Sequence, residues 1–241
     1  MKAMILAAGY GRRLRPLTNF LPKPLLPLGR HLILSYIINF MKNNGIEEVM
    51  INLHHLASLL KKRIGNGEKW GLKIHYSYEP KILGTAGGIK KAERFFKGEK
   101  YFLVLNADIV FKLNLARVIR FHEEKKAVVT LVLRQDRKLE KYGVIEIDSQ
   151  GQIVKFLKHQ IKQERYVRLY RTMFTGIQLL SPEVLEYVSP AKYAETTGEL
   201  YPFLLKKGCP VYGCLNRGYW RDLGTREEYF SVNGEKWVWS E

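Results

Sequence analysis

The stretch AMILAAGYGRRLRPLTNFLPKPLLPLG, residues 3–29, decides how the chain folds. It opens with an apolar β-type run, AMILAAG, and passes into a loop with glycines at 9 and 11. LILSYIINFMKNNG follows, residues 32–45, with Leu32, Leu34, Ile37, Ile38 and Met41 at helical spacing and Gly45 at the stop. Strand, long loop and helix in that order begin an α/β unit. The alternation continues through EEVMINL (47–53), a helix near 57–64, LKIHYSY (72–78), a helix over TAGGIKKAERFF (85–96) and the strand YFLVLNAD (101–108). Units of this kind predict an α/β, Rossmann-like three-layer fold around a central mixed, mainly parallel sheet.

After Asp108 the rhythm changes. A helix near 115–125 leads to AVVTLVLR (127–134), GVIEID (143–148), a turn at 148–151 and IVKFLK (153–158), which read as strands paired across turns. FTGIQLLS (174–181) is a further strand; Pro182 opens a short helix, residues 195–206 give another, VYGCLN (211–216) a last strand, and a helix follows GYWRDLGT. No low-complexity linker separates the parts, so one domain over 1–241 is expected, with halves 1–110 and 111–241.

Composition narrows the function classes. With 46% hydrophobic residues there is material for a core, and no apolar run reaches the ~18–20 residues of a membrane span. The N-terminus passes from Lys2 straight to the glycines without a secretory signal pattern, which predicts a cytoplasmic protein without a membrane partner. Cys209 and Cys214 have no companion Cys or His cluster and read as reduced packing residues. The net charge of +17 suits an anionic partner. That partner could be nucleic acid, a membrane surface or a phosphorylated small molecule, and a basic solvated surface without a specific partner fits as well; no aromatic-basic interleaving or nucleic-acid motif accompanies the charge.

In an open α/β sheet the ligand cleft lies beyond the carboxyl ends of the strands, where the opening loop sits. Gly9 and Gly11 admit a sharp turn and close approach of amides to a phosphate or base, while Arg12, Arg13, Arg15 and Lys23 can neutralise phosphates. Pro22 and Pro24 stiffen the segment that presents Lys23. The spacing is neither a P-loop nor a full G-x-G-x-x-G fingerprint, since position 14 is Leu. Asp108 ends one strand and Asp222 follows another; two carboxylates with substrate phosphates are a usual way to hold Mg²⁺. Either Asp alone would equally suit a turn start or a helix cap.

Residues 6–29, LNAD at 105–108 and YWRDLGT at 219–225 resemble the sugar-1-phosphate nucleotidyltransferase family, with its pattern L-A-A-G-x-G-[ST]-R-L-x-P-L-T…P-K-P. EPKILGTAGGI (79–89) and FTGIQLLSPEVL (174–185) extend the likeness over almost the whole chain. The resemblance implies Mg²⁺ dependence and a reaction of NTP, GTP or UTP, with a sugar 1-phosphate. It makes Arg13, Lys23, Asp108 and Asp222 catalytic, the two Asp residues also holding the metal. It gives nucleotide binding to Leu6, Ala7, Ala8, Gly9, Gly11 and Arg12, and to Glu79, Gly84, Thr85, Ala86 and Gly87. It turns Asn106, Gly143, Lys158, Thr175, Gly176 and Glu199 towards the sugar phosphate; ordinary helix initiation, strand edges and a solvated carboxylate remain alternatives for Gly84–Gly88, for Gly143 and Thr175–Gly176, and for Glu199.

Three departures bear on specificity. Arg12 stands where the family has a small hydroxyl residue, Ala107 where Gly is usual, and FLKHQ, with Lys158 and His159, where F-x-E-K-P supplies sugar contacts. Charge reversal at 158 leaves the sugar open. The chain ends soon after Asp222 without the β-helix of longer relatives, which resembles stand-alone mannose-1-phosphate guanylyltransferases and N-acetylmuramate-1-phosphate uridylyltransferases; LGTAGG favours the first. A phosphocholine cytidylyltransferase and a non-catalytic nucleotide-sugar sensor stay as rivals. The residues leave oligomeric state open and allow a homo-oligomer. His54 and His55 show no ligand spacing.

Overall fold

A computed structural model describes residues 1–161 and 168–233. In chain order the elements begin with β1 (Ala3–Leu6), the short pair β2 (Pro27–Leu28) and β3 (His31–Leu32), α1 (Ile33–Asn43), β4 (Glu48–Leu53), α2 (Ala57–Ile64) and β5 (Lys73–Tyr78). Next come α3 (Gly84–Lys91), β6 (Phe102–Asn106), β7 (Ile109–Phe111), α4 (Leu115–Glu124), β8 (Val129–Arg134), α5 (Leu139–Tyr142) and β9 (Ile145–Ile147). The rest are β10 (Ile153–Phe156), β11 (His159–Gln160), β12 (Tyr170–Leu180), α6 (Tyr201–Lys206), β13 (Val211–Leu215), β14 (Trp220–Asp222) and α7 (Arg226–Asn233).

These elements form two compact units. The first holds residues 1–82, 105–112 and 219–241, the second 83–104 and 113–218. β6 contributes its first three residues to the second unit and its last two to the first.

In the first unit the strand order is β6-β1-β4-β5. β1 pairs in parallel with β4, Ala3 opposite Val49, and β4 in parallel with β5, Glu48 opposite Lys73. Strands covered on both faces read as continuous apolar runs, which is why AMIL shows no alternation; Ala3, Met4 and Ile5 are all fully buried. α1 buries Ile33, Leu34, Ile37, Ile38 and Met41 at helical spacing and stops at Gly45, whose φ of +70° suits the left-handed turn that ends a helix. The expected face included Leu32, but this residue is extended and pairs with Pro27. Its N–H is taken by Ser35 Oγ at 2.9 Å, so the helix begins one residue later and Ile33 fills the core.

A cluster of buried residues joins the stretches that carry the candidate site. Leu14, Leu26, Leu28, Ile33, Val110, Leu223, Tyr229 and Val232 pack together. Leu14, the residue that breaks the dinucleotide fingerprint, is thus a core anchor in the arginine-rich loop. Val110 and Leu223 sit beside Asp108 and Asp222 on the antiparallel pair β7–β14, with Asp222 opposite Ile109. Tyr229 of α7 donates to the Pro27 carbonyl at 2.6 Å, tying the terminal helix to the same cluster.

In the second unit the order is β11-β10-β9-β12-β6, and β8 pairs with both β12 and β13. β12 runs antiparallel to β8 and β9, and β13 parallel to β8. The expected strand pairing across the 148–151 turn is present as β9–β10, closed by Asp148 Oδ1, which accepts from Gln150 N and Gln152 N at 2.8 Å. The sheet is mixed, as the sequence indicated, and its antiparallel pairs concentrate where the βαβ rhythm stops.

Candidate active site

The glycine loop leaves the carboxyl end of β1 and is fixed by three bonds of different kinds. Ala7 N donates to Asn52 Oδ1 at 2.7 Å. Thr18 Oγ1 donates to the Gly11 carbonyl at 2.8 Å. The Tyr10 hydroxyl meets His54 Nε2 at 3.0 Å, with the two rings edge to face. Gly11 has φ +62°, and a Cβ there would stand 2.8 Å from Thr18 Cγ2, so both backbone freedom and space demand glycine. The loop then closes into a single 3-10 turn over Arg12–Leu14, with Leu14 pointing into the core and the Arg12 guanidinium 4.9 Å over the Tyr10 ring.

Around this loop lies a cavity of about 260 Å³ lined by Leu6, Ala7, Gly9, Gly11, Arg12, Arg13, Lys23, Pro24, Ala107 and Asp108. Lys23 Nζ is paired with Asp108 Oδ2 at 2.5 Å. Pro22 and Pro24 flank it, and Leu25 N and Leu26 N close the turn on the Pro22 and Lys23 carbonyls. Leu223 N donates to the Asp108 carbonyl at 2.8 Å, which brings Asp222 next to Asp108 through the backbone. A Cβ on Gly224 would lie 2.8 Å from Arg13 Nη2 and from both Asp222 carboxylate oxygens, so this glycine permits the approach of Arg13 and Asp222.

The electrostatics follow. Burial, then the like charge of Asp108, pushes the Asp222 carboxyl above its ordinary pKa, against the opposing pull of Lys23, Arg13 and the Gly224 N–H. Two half-buried acidic side chains in each other's field suit a divalent cation that would relieve their repulsion. Among the described residues no group of three or more Cys, His, Asp and Glu could hold a metal, so any ion here would complete its shell with substrate oxygens or water.

The sequence-predicted residues fall into two sets. Leu6, Ala7, Gly9, Gly11, Arg12, Arg13, Lys23 and Asp108 converge on the cavity; Ala8 lies within the same loop, Asn106 ends β6, and Asp222 stands beside Asp108 as described. Glu79 is fully buried, with Oε1 accepting from Asn52 Nδ2 at 2.7 Å.

The others belong to the second unit. Ala86 N and Gly87 N both donate to the Ala194 carbonyl, at 2.9 and 3.2 Å. Thr85 Oγ1 donates to Glu195 Oε2 at 2.7 Å, and a Cβ on Gly84 would meet Ala194 O at 2.4 Å. The first turn of α3 is therefore already capped within its own unit. Thr175 is buried and its hydroxyl donates to the Val132 carbonyl at 2.7 Å. Gly176 (φ +80°) lies where the β12–β8 register shifts, and Gly143 (φ +89°) lies against Leu157. Lys158 is exposed in the turn between β10 and β11, and Glu199 lines a cavity of about 310 Å³ with Tyr187, Lys192 and Phe203.

Sequence reasoning missed Asn52, Tyr10, Thr18, His54 and Gly224. Only Asn52 left a signal, as a polar residue inside the apolar strand EVMINL. His55, set aside with His54, bonds through Nε2 to the Thr18 carbonyl at 3.1 Å.

An α/β fold that gathers cations and carboxylates around a glycine loop at a strand end has the makings of a phosphate-handling site. The chain belongs to the nucleotidyl transferase family, whose sequence profile matches residues 2–236. It is 32% identical over 96% of its length to UTP–glucose-1-phosphate uridylyltransferase of Synechocystis sp., and 29% identical over 94% to mannose-1-phosphate guanylyltransferase of Mycobacterium tuberculosis. The chain spans 62% of the length of each of these relatives. It is 30% identical over 95% of its length to D-glycero-alpha-D-manno-heptose 1-phosphate guanylyltransferase of Campylobacter jejuni, and covers 97% of it. The same fold occurs in HddC from Yersinia pseudotuberculosis complexed with GMP-PN, with a TM-score of 0.78 at 21% identity over 96% of this chain and 97% of that one.

Proposed function

We propose that the protein transfers a nucleotidyl group from an NTP to a sugar 1-phosphate, releasing pyrophosphate and forming an NDP-sugar, in the manner of a guanylyltransferase for mannose 1-phosphate or a similar sugar. The convergence of Arg13, Lys23, Asp108 and Asp222 beside the glycine loop carries this reading. The 32% identity to a uridylyltransferase supports a second version of it, with UTP and glucose 1-phosphate as substrates.

The reaction asks the protein for position and charge. An oxygen of the sugar phosphate attacks the α-phosphorus, the bond to the bridging oxygen breaks, and pyrophosphate leaves with the electron pair. Charge on the transferring group must be neutralised while attacking and leaving oxygens stay in line. Gly9 and Gly11 let the loop backbone approach the nucleotide, Arg12 and Arg13 face the leaving phosphates, and Lys23 stands against the reacting phosphate. Asp108 and Asp222 would hold Mg²⁺, which supplies neutralisation of the phosphate charge when bound. Lys23 Nζ is committed to Asp108 at 2.5 Å, and direct attack by the sugar phosphate needs no nucleophile from the protein. The sites read as cytoplasmic and small-molecule in character, without a nucleic-acid partner.

The test is pyrophosphate release by purified protein with Mg²⁺, each common NTP being paired with a panel of sugar 1-phosphates and with phosphocholine. Release is expected only when both substrates are present, greatest with GTP or UTP, and lost in Asp108→Asn. Silence across the panel with NTP binding intact would favour a non-catalytic sensor.

A further inference from the structure

Glu79 was expected to touch the nucleotide, yet its carboxylate lies inside the first unit with no exposed surface. Its Oε1 accepts from Asn52 Nδ2 at 2.7 Å. Asn52, itself 3% exposed, accepts through Oδ1 from Ala7 N at 2.7 Å. The orientation of the amide follows from chemistry: the backbone N–H of Ala7 can only donate, so Oδ1 must face it, and Nδ2 must then face an acceptor. Glu79 is held in turn by its own backbone, with Glu79 N donating to the Leu53 carbonyl at 2.8 Å and Glu79 O meeting His54 Nδ1 at 2.7 Å. His54 Nε2 reaches the Tyr10 hydroxyl, which lies in the glycine loop. Two routes therefore lead from one buried residue to the two ends of the loop, Ala7 and Tyr10.

We infer that Glu79 and Asn52 are positioning residues: they hold the amide of Ala7, and with it residues 7–11, in the conformation that receives the nucleotide. This rests on the reading of that loop as the nucleotide site. Burying a carboxylate and a carboxamide costs more than burying apolar groups unless their polar atoms are bonded, and here the bonds lead from Glu79 through Asn52 to the Ala7 amide. Asn suits position 52 because one side chain must accept from an N–H and donate to a carboxylate. An aspartate in its place would set two buried carboxylates against each other, and only a shared proton could restore the contact.

This arrangement allows a reversal test. Asn52→Asp should disturb the loop at pH 8, and adding Glu79→Gln should repair it. The glutamine amide can donate to one oxygen of the new carboxylate while the other oxygen still accepts from Ala7. Amide hydrogen exchange of residues 6–11 reads the loop without any need for turnover; NTP and sugar-phosphate KM values are read in parallel. Expected for Asn52→Asp at pH 8 are exchange at Ala7 faster by about tenfold or more, a comparable rise in NTP KM, a much smaller change in sugar-phosphate KM, and partial recovery at pH 6. The double variant should lie nearer the parent than Asn52→Asp does. Exchange at Ala7 unchanged in Asn52→Asp, or a folded double variant no better than Asn52→Asp, would overturn the inference. A parent protein without turnover would count against the proposed reaction, and the exchange rates would still decide whether the pair holds the loop.

Discussion

Asp222 shows how a single side chain ties the chemistry to stability. Burial and the neighbouring Asp108 raise its pKa. A carboxyl whose folded pKa lies above its unfolded one favours folding while protonated, and that contribution is lost as pH rises through the folded pKa. Once ionised, Asp222 therefore works against folding. Asp222→Asn is expected to raise the thermal midpoint at pH 7.5 in metal-free buffer while lowering turnover about a hundredfold or more, with calorimetry and pyrophosphate release as the paired measurements. A lower midpoint would show that Arg13 and Lys23 outweigh the burial and the repulsion. The candidate residues Arg13, Lys23, Asp108 and Asp222 were legible in the sequence because charged residues at strand ends, between prolines and after glycines, have few structural uses in combination. Asn52, Tyr10 and His54 were less so: their contacts join residues 45 and 44 positions apart in the chain, and no local pattern encodes them.

Among the elements, α4 carries a pH-sensitive contact away from the cavity residues. His122 is buried on its inner face, with Nδ1 bonded to Thr130 Oγ1 of β8 at 2.8 Å. Burial pushes its pKa from 6.5 down to about 4. The neutral ring is thus favoured in the folded state, so stability is full above pH 6.5 and falls as pH drops towards 4, where the unfolded chain takes up the proton first. Urea midpoints measured across that window should fall in the parent, and should fall less in His122→Gln, which retains a polar partner for Thr130. Equal slopes would place the acid sensitivity elsewhere. Element type was mostly readable, from apolar periodicity and from glycine and proline punctuation. Boundaries depended on details that periodicity does not carry. The helix expected over 85–96 stops at Lys91 and gives way to a 3-10 turn that brings Phe96 onto Phe102, ring centroids 3.8 Å apart. The helix expected over 195–206 is a wide π turn over Thr196–Leu200 followed by α6, since Pro202 has no N–H to continue the regular ladder.

At the scale of the whole molecule, the first unit assembles the candidate site from three separated stretches of chain, within 1–82, 105–112 and 219–233. Reading the chain as consecutive halves does not bring out that arrangement, because the long-range packing of Leu14 with Val110 and Leu223 draws the stretches together. The +17 charge acts at the same scale: a positive field raises the encounter rate with anionic ligands without selecting among them. Selection among such ligands needs specific pocket contacts instead. In the proposed reaction this site joins two substrates directly, with charge and position and no covalent nucleotidyl–protein intermediate. Exchange of labelled pyrophosphate into NTP, measured with and without the NDP-sugar, separates direct from covalent transfer. Direct transfer gives exchange only when the NDP-sugar is present; exchange in its absence, or none in either condition, would rule direct transfer out.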